Sequence, residues 1–191
     1  LDSVDVWVNQ QCFLLEEDGK PSFVAGVPPD YFSKFGQRWG NPLYDWEYLS
    51  KHQFDFWVER MKAASQIYDT VRIDHFRAFD TYWKIPESES TAIIGDWIEA
   101  PGYQLFDTLF NKVPELSILA EDLGELRHQV YDLRDHYHLK GMYVFQFHYC
   151  YDFDFHKVVV YTGTHDNDTL VGWLDSLEKE DYKKVSTYIA N

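Results

Sequence analysis

Three carboxylates close three separate apolar runs in this chain. Asp74 follows Val71 and Ile73, Glu121 follows Leu116-Ser117-Ile118-Leu119-Ala120, and Asp166 follows Val158-Val159-Val160-Tyr161 through a short polar step. Arg72 stands two residues before Asp74, and an opposite charge that close favours the ionised carboxylate. Carboxyl groups delivered from different strand ends suit retaining glycoside chemistry. There one carboxylate attacks the anomeric carbon while a protonated partner about 5–5.5 Å away donates to the leaving oxygen. A third can hold sugar hydroxyls and tighten its grip as the ring flattens in the transition state. A buried structural ion pair is the plainer reading of Arg72 and Asp74, since such pairs also perturb titration. The recurrence of the acid-terminated run is what favours chemistry.

The elements that must position these groups follow from periodicity. Strand side chains alternate, so Arg72 and Asp74 share one side and Val71 and Ile73 the other. Val4 to Val8 reads as the end of a further strand, Cys12 to Leu15 as a short apolar run, and Gly141 to Phe147 and Val158 to Gly163 as strands. Residues 26–42, rich in Gly, Pro and aromatics, read as a long functional loop. Tyr44 to Tyr68 has one broad apolar face and reads as a helix, as do the shorter stretches 103–110, 125–136 and 169–177, the last fading into a polar tail. Residues after Asp74, through Pro86 to Pro101-Gly102, read as irregular. Strands alternating with helices predict parallel βαβ units and an α/β fold. A barrel and a doubly wound sheet both place ligands at strand ends, so periodicity alone leaves the two open.

Composition narrows the function classes. The chain has 191 residues, 45% hydrophobic and 26% charged, which suits one globular domain. A net charge of −15 argues against an electrostatic grip on nucleic acid or an anionic membrane surface. Aromatics make up 18%, most of them expected in the core, with Tyr and Trp also able to face sugars. Cys12 and Cys150 do not make a disulfide framework, and with no long apolar run or signal peptide a cytoplasmic setting is expected. The His spacings are not those of a zinc site. His165-Asp166-Asn167-Asp168 lacks the alternation and glycine of a calcium loop, so no metal is expected.

Five motifs together resemble the 4-α-glucanotransferases (amylomaltase or disproportionating enzyme) of the α-amylase clan. They are Ala25-Gly26-Val27-Pro28-Pro29-Asp30, Gly36-Gln37-Arg38-Trp39-Gly40-Asn41-Pro42, Arg72-Ile73-Asp74-His75-Phe76-Arg77, Ala120-Glu121-Asp122-Leu123-Gly124 and Tyr161-Thr162-Gly163-Thr164-His165-Asp166-Asn167-Asp168-Thr169. The resemblance implies a (β/α)8 TIM barrel with its site at the carboxyl ends of the strands, and no metal or organic cofactor. It implies Asp74 as nucleophile, Glu121 as general acid/base and Asp166 as transition-state stabiliser, supported by Arg72 and His165. Tyr31, Phe32, Gln37, Trp39 and Asn41 match the family's loop over the acceptor side. The implied substrates are maltooligosaccharides and other α-1,4-glucans, with glucose as an acceptor. Residue chemistry agrees with that division of roles: Arg72 favours the charge of Asp74, whereas Glu121 has no cation within two residues and adjoins Asp122.

Departures from the family pattern carry expectations too. About five strand candidates fall short of barrel closure, so the chain is expected to be one incomplete catalytic barrel, lacking the first and last strands. The connector between Phe155 and His156 is shorter than the family's, which suggests missing residues there, and Ala78 replaces a common Gly. Two rival functions stay open: an α-glucan hydrolase using the same carboxyls, and a non-catalytic glucan-binding fragment.

Overall fold

A computed structural model describes residues 1–31, 33–149 and 154–190. Phe32, expected on the acceptor side, and Cys150 lie outside the described residues.

The chain opens with helix α1 (Val4–Val8), where a strand was expected. Local capping overrides the β-branched composition: Ser3 Oγ accepts from Val6 N at 3.3 Å, and Asp5 sits in the positively polarised first turn. A 3-10 turn (Gln10–Cys12) follows in place of part of the expected apolar run. Strands β1 (Phe23–Val27) and β2 (Gln37–Pro42) then pair antiparallel, so much of the expected loop is a hairpin. A Cβ on Gly26 would meet Gln37 O at 2.1 Å, and this close approach requires glycine. The register shifts between Val24, which faces Pro42, and Gly26, which faces Arg38.

The expected long helix is two, α2 (Trp46–Lys51) and α3 (Asp55–Ser65). Gln53 and Phe54, both at φ 54°, break it. Asp45 caps α2 by accepting from Tyr48 N at 2.8 Å, and Phe54 is buried at the corner. Strand β3 (Val71–Ile73) comes next, then a 3-10 turn (Phe76–Phe79) and the strands β4 (Thr81–Pro86) and β5 (Asp96–Glu99), a region expected to be irregular. Strand β4 pairs with its neighbour β5 and with the distant β1, completing an antiparallel sheet in the order β2-β1-β4-β5.

Helix α4 (Gly102–Lys112), strand β6 (Ile118–Ala120), helix α5 (His128–His136) and strand β7 (Gly141–Val144) follow. The segment expected to continue β7 turns into helix α6 (Phe145–His148). Strand β8 (Val158–Tyr161) and helix α7 (Leu170–Ser176) come next, and the expected polar tail is helix α8 (Lys179–Ala190).

Among the described residues the strands that carry the acids are parallel. β3 pairs with β6, β7 with β8, and the bridge Leu119↔Lys140 joins the two pairs, giving the order β3-β6-β7-β8. These four are fewer than the strand candidates read from the sequence, because α1 is helical. Helices α3, α4 and α5 cover one side of β3 and β6 through Met61, Leu105, Phe106, Leu109, Val130 and Leu133, all nearly sealed from solvent. Many aromatics go inside as expected, with Phe76 packed against Phe106 at 5.6 Å. Full burial of one such ring contributes about 1.5–3 kcal/mol, which fixes the strand ends on a stiff frame. No helix among the described residues is long and apolar enough to cross a membrane.

Candidate active site

The alternation in β3 buries Ile73 and leaves Arg72 and Asp74 on the open side, where Arg72 Nη2 pairs with Asp74 Oδ1 at 2.7 Å. Arg72 Nε also reaches Met142 Sδ of β7 at 3.3 Å, which steadies the guanidinium across the sheet. His75 takes the left-handed conformation, φ 51°, and turns the chain sharply after Asp74. His75 N donates to Glu121 Oε2 at 2.7 Å, and the turn aims the next N–H at the same strand end, Phe76 N donating to Glu121 O at 3.0 Å. Leu123 N donates to Glu121 Oε1 at 3.1 Å, so the carboxyl is held from two directions.

Electrostatics separate the two acids. Burial pushes the Glu121 carboxyl above its ordinary value, and the nearby charge of Asp74 adds to this. The His75 and Leu123 N–H donors and Arg72 oppose the shift without cancelling it. Asp74 itself is 72% exposed and carries its guanidinium partner. Asp122, expected from its place next to Glu121 to help that residue keep a proton, is not among the causes of the shift. Asp122 is buried against Arg134 and accepts from Met142 N at 2.8 Å, so its charge is already matched.

The third acid comes from the turn after β8. Thr164 N and Oγ1 both donate to Asn167 Oδ1, at 2.8 and 2.9 Å, and Asp166 N donates to Thr164 Oγ1 at 3.2 Å. His165 Nε2 lies 3.4 Å from Asp166 Oδ2, and both side chains are exposed.

A cleft of about 790 Å³ brings these parts together. Its walls include Gln37, Trp39 and Asn41 from β2, Arg72 and Asp74 from β3, and His165 and Asp166 from the β8 turn. Glu121 is not in the wall but lies directly behind it, bonded to the His75 backbone. Tyr31 does not line the cleft and is 74% exposed. The sequence reading passed over His75, whose ring lies 4.8 Å from that of Trp39 in an edge-on contact. Burial, and then the charge of Arg77, push the His75 imidazole down to about 4 against the pull of Asp74, so it is neutral near pH 7. Its one signal in the sequence was its place directly after Asp74. Tyr44, Trp46 and Trp57 also line the cleft and had been read simply as part of the helical stretch. No group of three or more His, Cys, Asp or Glu that could hold a metal ion occurs among the described residues.

The profile of glycoside hydrolase family 77, described as 4-alpha-glucanotransferase, matches residues 1–191. The chain is 46% identical over 200 residues to the 4-alpha-glucanotransferase of Thermus thermophilus, covering 100% of this chain and 40% of the relative. It is 47% identical over 199 residues to that of Synechocystis, covering 98% of this chain and 39% of the relative. In structure it is similar to the amylomaltase from Streptococcus agalactiae in complex with acarbose, with a TM-score of 0.92 at 36% identity, across 100% of this chain and 40% of that one. The chain thus spans about 40% of the length of the relatives it matches. By these matches and the acid-bearing strand ends, the chain belongs to the 4-alpha-glucanotransferase family.

Proposed function

We propose that the polypeptide carrying this chain transfers α-1,4-glucan segments between maltooligosaccharides, or onto glucose, by a retaining double displacement. The single observation that carries the reading is the split between two carboxyls from adjacent strands: Glu121, raised by burial and the charge of Asp74, and Asp74, ion-paired to Arg72. Glu121 protonates the glycosidic oxygen as it leaves, while Asp74 Oδ attacks the anomeric carbon and forms a covalent glycosyl ester. In the second half the acceptor hydroxyl gives its proton to Glu121 and displaces Asp74. The atoms balance without a metal or organic cofactor. Asp166, from the β8 turn, grips sugar hydroxyls in the transition state, with Arg72 and His165 orienting the acids.

Gln37, Trp39 and Asn41 form the acceptor wall on this reading, with Tyr31 in the connection leading to it; Phe32 is assigned to the acceptor side by the sequence motif alone. An ordered aromatic wall favours a sugar hydroxyl over water at the intermediate. The acarbose in the Streptococcus agalactiae relative supports a glucan-like ligand. The four parallel strands would form part of a (β/α)8 barrel, with the antiparallel sheet as an excursion carrying the acceptor wall.

The test is incubation of the complete native polypeptide with maltotriose alone. Longer and shorter products together support transfer. Only shorter products would mean that water is the acceptor, and the hydrolase reading would replace this one.

A further inference from the structure

Gln146 is used by none of the steps above, yet it is built into the site's frame. It lies in α6, just beyond β7, and is only 9% exposed. Its amide nitrogen donates twice, to Thr162 O at 3.0 Å and to Asp168 O at 2.9 Å. Those carbonyls stand at the two ends of the turn that carries His165 and Asp166. Within the turn, Asn167 and Thr164 hold one another, so the turn has its own shape. Gln146 ties that shape to the strand frame at both ends.

The chemistry of the contact is selective. Both partners are carbonyl oxygens, so the group between them must supply two N–H bonds from one atom, as a carboxamide does. An ionised carboxylate would repel both, and a thioether would leave both without a donor. Gly163 makes the room: a Cβ there would sit 2.7 Å from Gln146 Nε2 and 3.3 Å from Asn167 Cβ.

We propose that Gln146 is a positioning residue that sets Asp166 over the sugar held at Asp74, and so acts on the chemical step rather than on glucan binding. This rests on the proposed role of Asp166.

The test compares Gln146→Met, Gln146→Glu and Asp166→Asn in the complete native polypeptide, measuring maltotriose turnover across substrate concentrations. A misplacement of about 1 Å costs about 100-fold, so Gln146→Met is expected to lower kcat about 10- to 100-fold and leave KM within about twofold. On the residual activity of Asp166→Asn, adding Gln146→Met is expected to cost less than about threefold, because the amide acts through Asp166. Gln146→Glu is expected to regain part of its loss relative to wild type as pH falls, since a protonated carboxyl can donate to one carbonyl. Wild-type kcat in Gln146→Met, a rise in KM alone, or an undiminished loss on top of Asp166→Asn would overturn the proposal. If Gln146→Met melts out at the assay temperature, Gly163→Ala, which presses the same contact from the other side, is read by the same criteria. If wild type only hydrolyses maltotriose, the criteria apply to hydrolysis, so a failed transferase reading is told apart from a failed role for Gln146. An Asp166→Asn enzyme at wild-type rate would sink the role of Asp166 and this proposal together. An impaired Asp166→Asn beside an intact Gln146→Met would sink this proposal alone.

Discussion

The backbone N–H of His75 donates to Glu121 Oε2 at 2.7 Å, so the residue after Asp74 holds the carboxyl delivered by the adjacent strand. The left-handed turn at His75, φ 51°, then aims the next N–H, that of Phe76, at the Glu121 carbonyl, 3.0 Å away. The parallel register places Ile73 opposite Ala120, so Asp74 and Glu121 leave the sheet at the same level. A buried acid and an exposed, ion-paired one are therefore set side by side by strand pairing and one turn.

Because burial and Asp74 raise the Glu121 carboxyl, its protonated form persists to higher pH than an ordinary glutamate's. Turnover is expected to fall on the alkaline side as Glu121 loses its proton, and Glu121→Gln to lower kcat at least about 100-fold, at the low end of what general acid–base catalysis supplies. The linkage runs the same way: a raised folded-state value gives stability that is full below the ordinary glutamate range and is lost as pH rises through the folded value. A pH–kcat profile of wild type that stayed flat through the alkaline range would contradict this.

His75 shifts in the opposite sense, down to about 4. A depressed folded-state value means that its contribution to stability is present above about 6.5, the ordinary histidine value, and is lost as pH falls through about 4. Urea midpoints for wild type are expected to drop across that window more steeply than for His75→Gln. Parallel curves would show that His75 does not titrate in this window.

Asp122 and Arg134 form a buried ion pair, with side chains 4% and 10% exposed. Breaking a buried pair from one side costs about 3–5 kcal/mol, so Asp122→Ala is expected to lose that much stability in chemical denaturation. Asp122 also accepts from Met142 N, so the same change loosens the turn that follows Glu121. A loss below about 1 kcal/mol would place the pair outside the stabilising frame.

Trp39 meets the His75 ring edge-on at 4.8 Å, and aromatic contacts of this kind contribute about 0.5–1.5 kcal/mol. Trp39→Ala is expected to raise the KM for glucose as acceptor by roughly 2- to 10-fold and to increase the share of hydrolysis. Product analysis by chromatography checks it, and an unchanged transfer-to-hydrolysis ratio would remove Trp39 from the acceptor wall.

Phe106 is fully buried in α4 against Phe76 and Phe79. Phe106→Ala is expected to cost about 3–5 kcal/mol, read as a shifted urea midpoint with an unchanged slope.

The strands that carry the acids were legible because each is a local pattern, an apolar run closed by Asp or Glu. What stayed hidden was set elsewhere in the chain. The β4 and β5 pairing depends on β1, more than fifty residues away along the chain from β4, and no local alternation marks it. The hairpin strand β2 carries Gly40, Asn41 and Pro42, residues that usually signal a loop, and its alternating burial falls on residues with no apolar–polar alternation. The break at Gln53 and Phe54 uses positive φ without glycine, so the helical periodicity ran straight through it. At α1 the signal was present in Ser3 and Asp5, and the run of valines outweighed it. Asp122 could be seen next to Glu121, but its partner Arg134 lies a helix away, and only the fold shows that its charge is already matched.

The central claim is that Asp74 forms the covalent bond to the sugar while Glu121 supplies and recovers the proton. A fluorinated α-glucosyl donor, used with Glu121→Gln in the complete native polypeptide to slow breakdown of the intermediate, followed by peptide mass spectrometry, tests it most directly. A sugar mass on the peptide containing Asp74, absent in Asp74→Asn, is the expected result. A label on another carboxylate, or continued labelling in Asp74→Asn, would contradict the account.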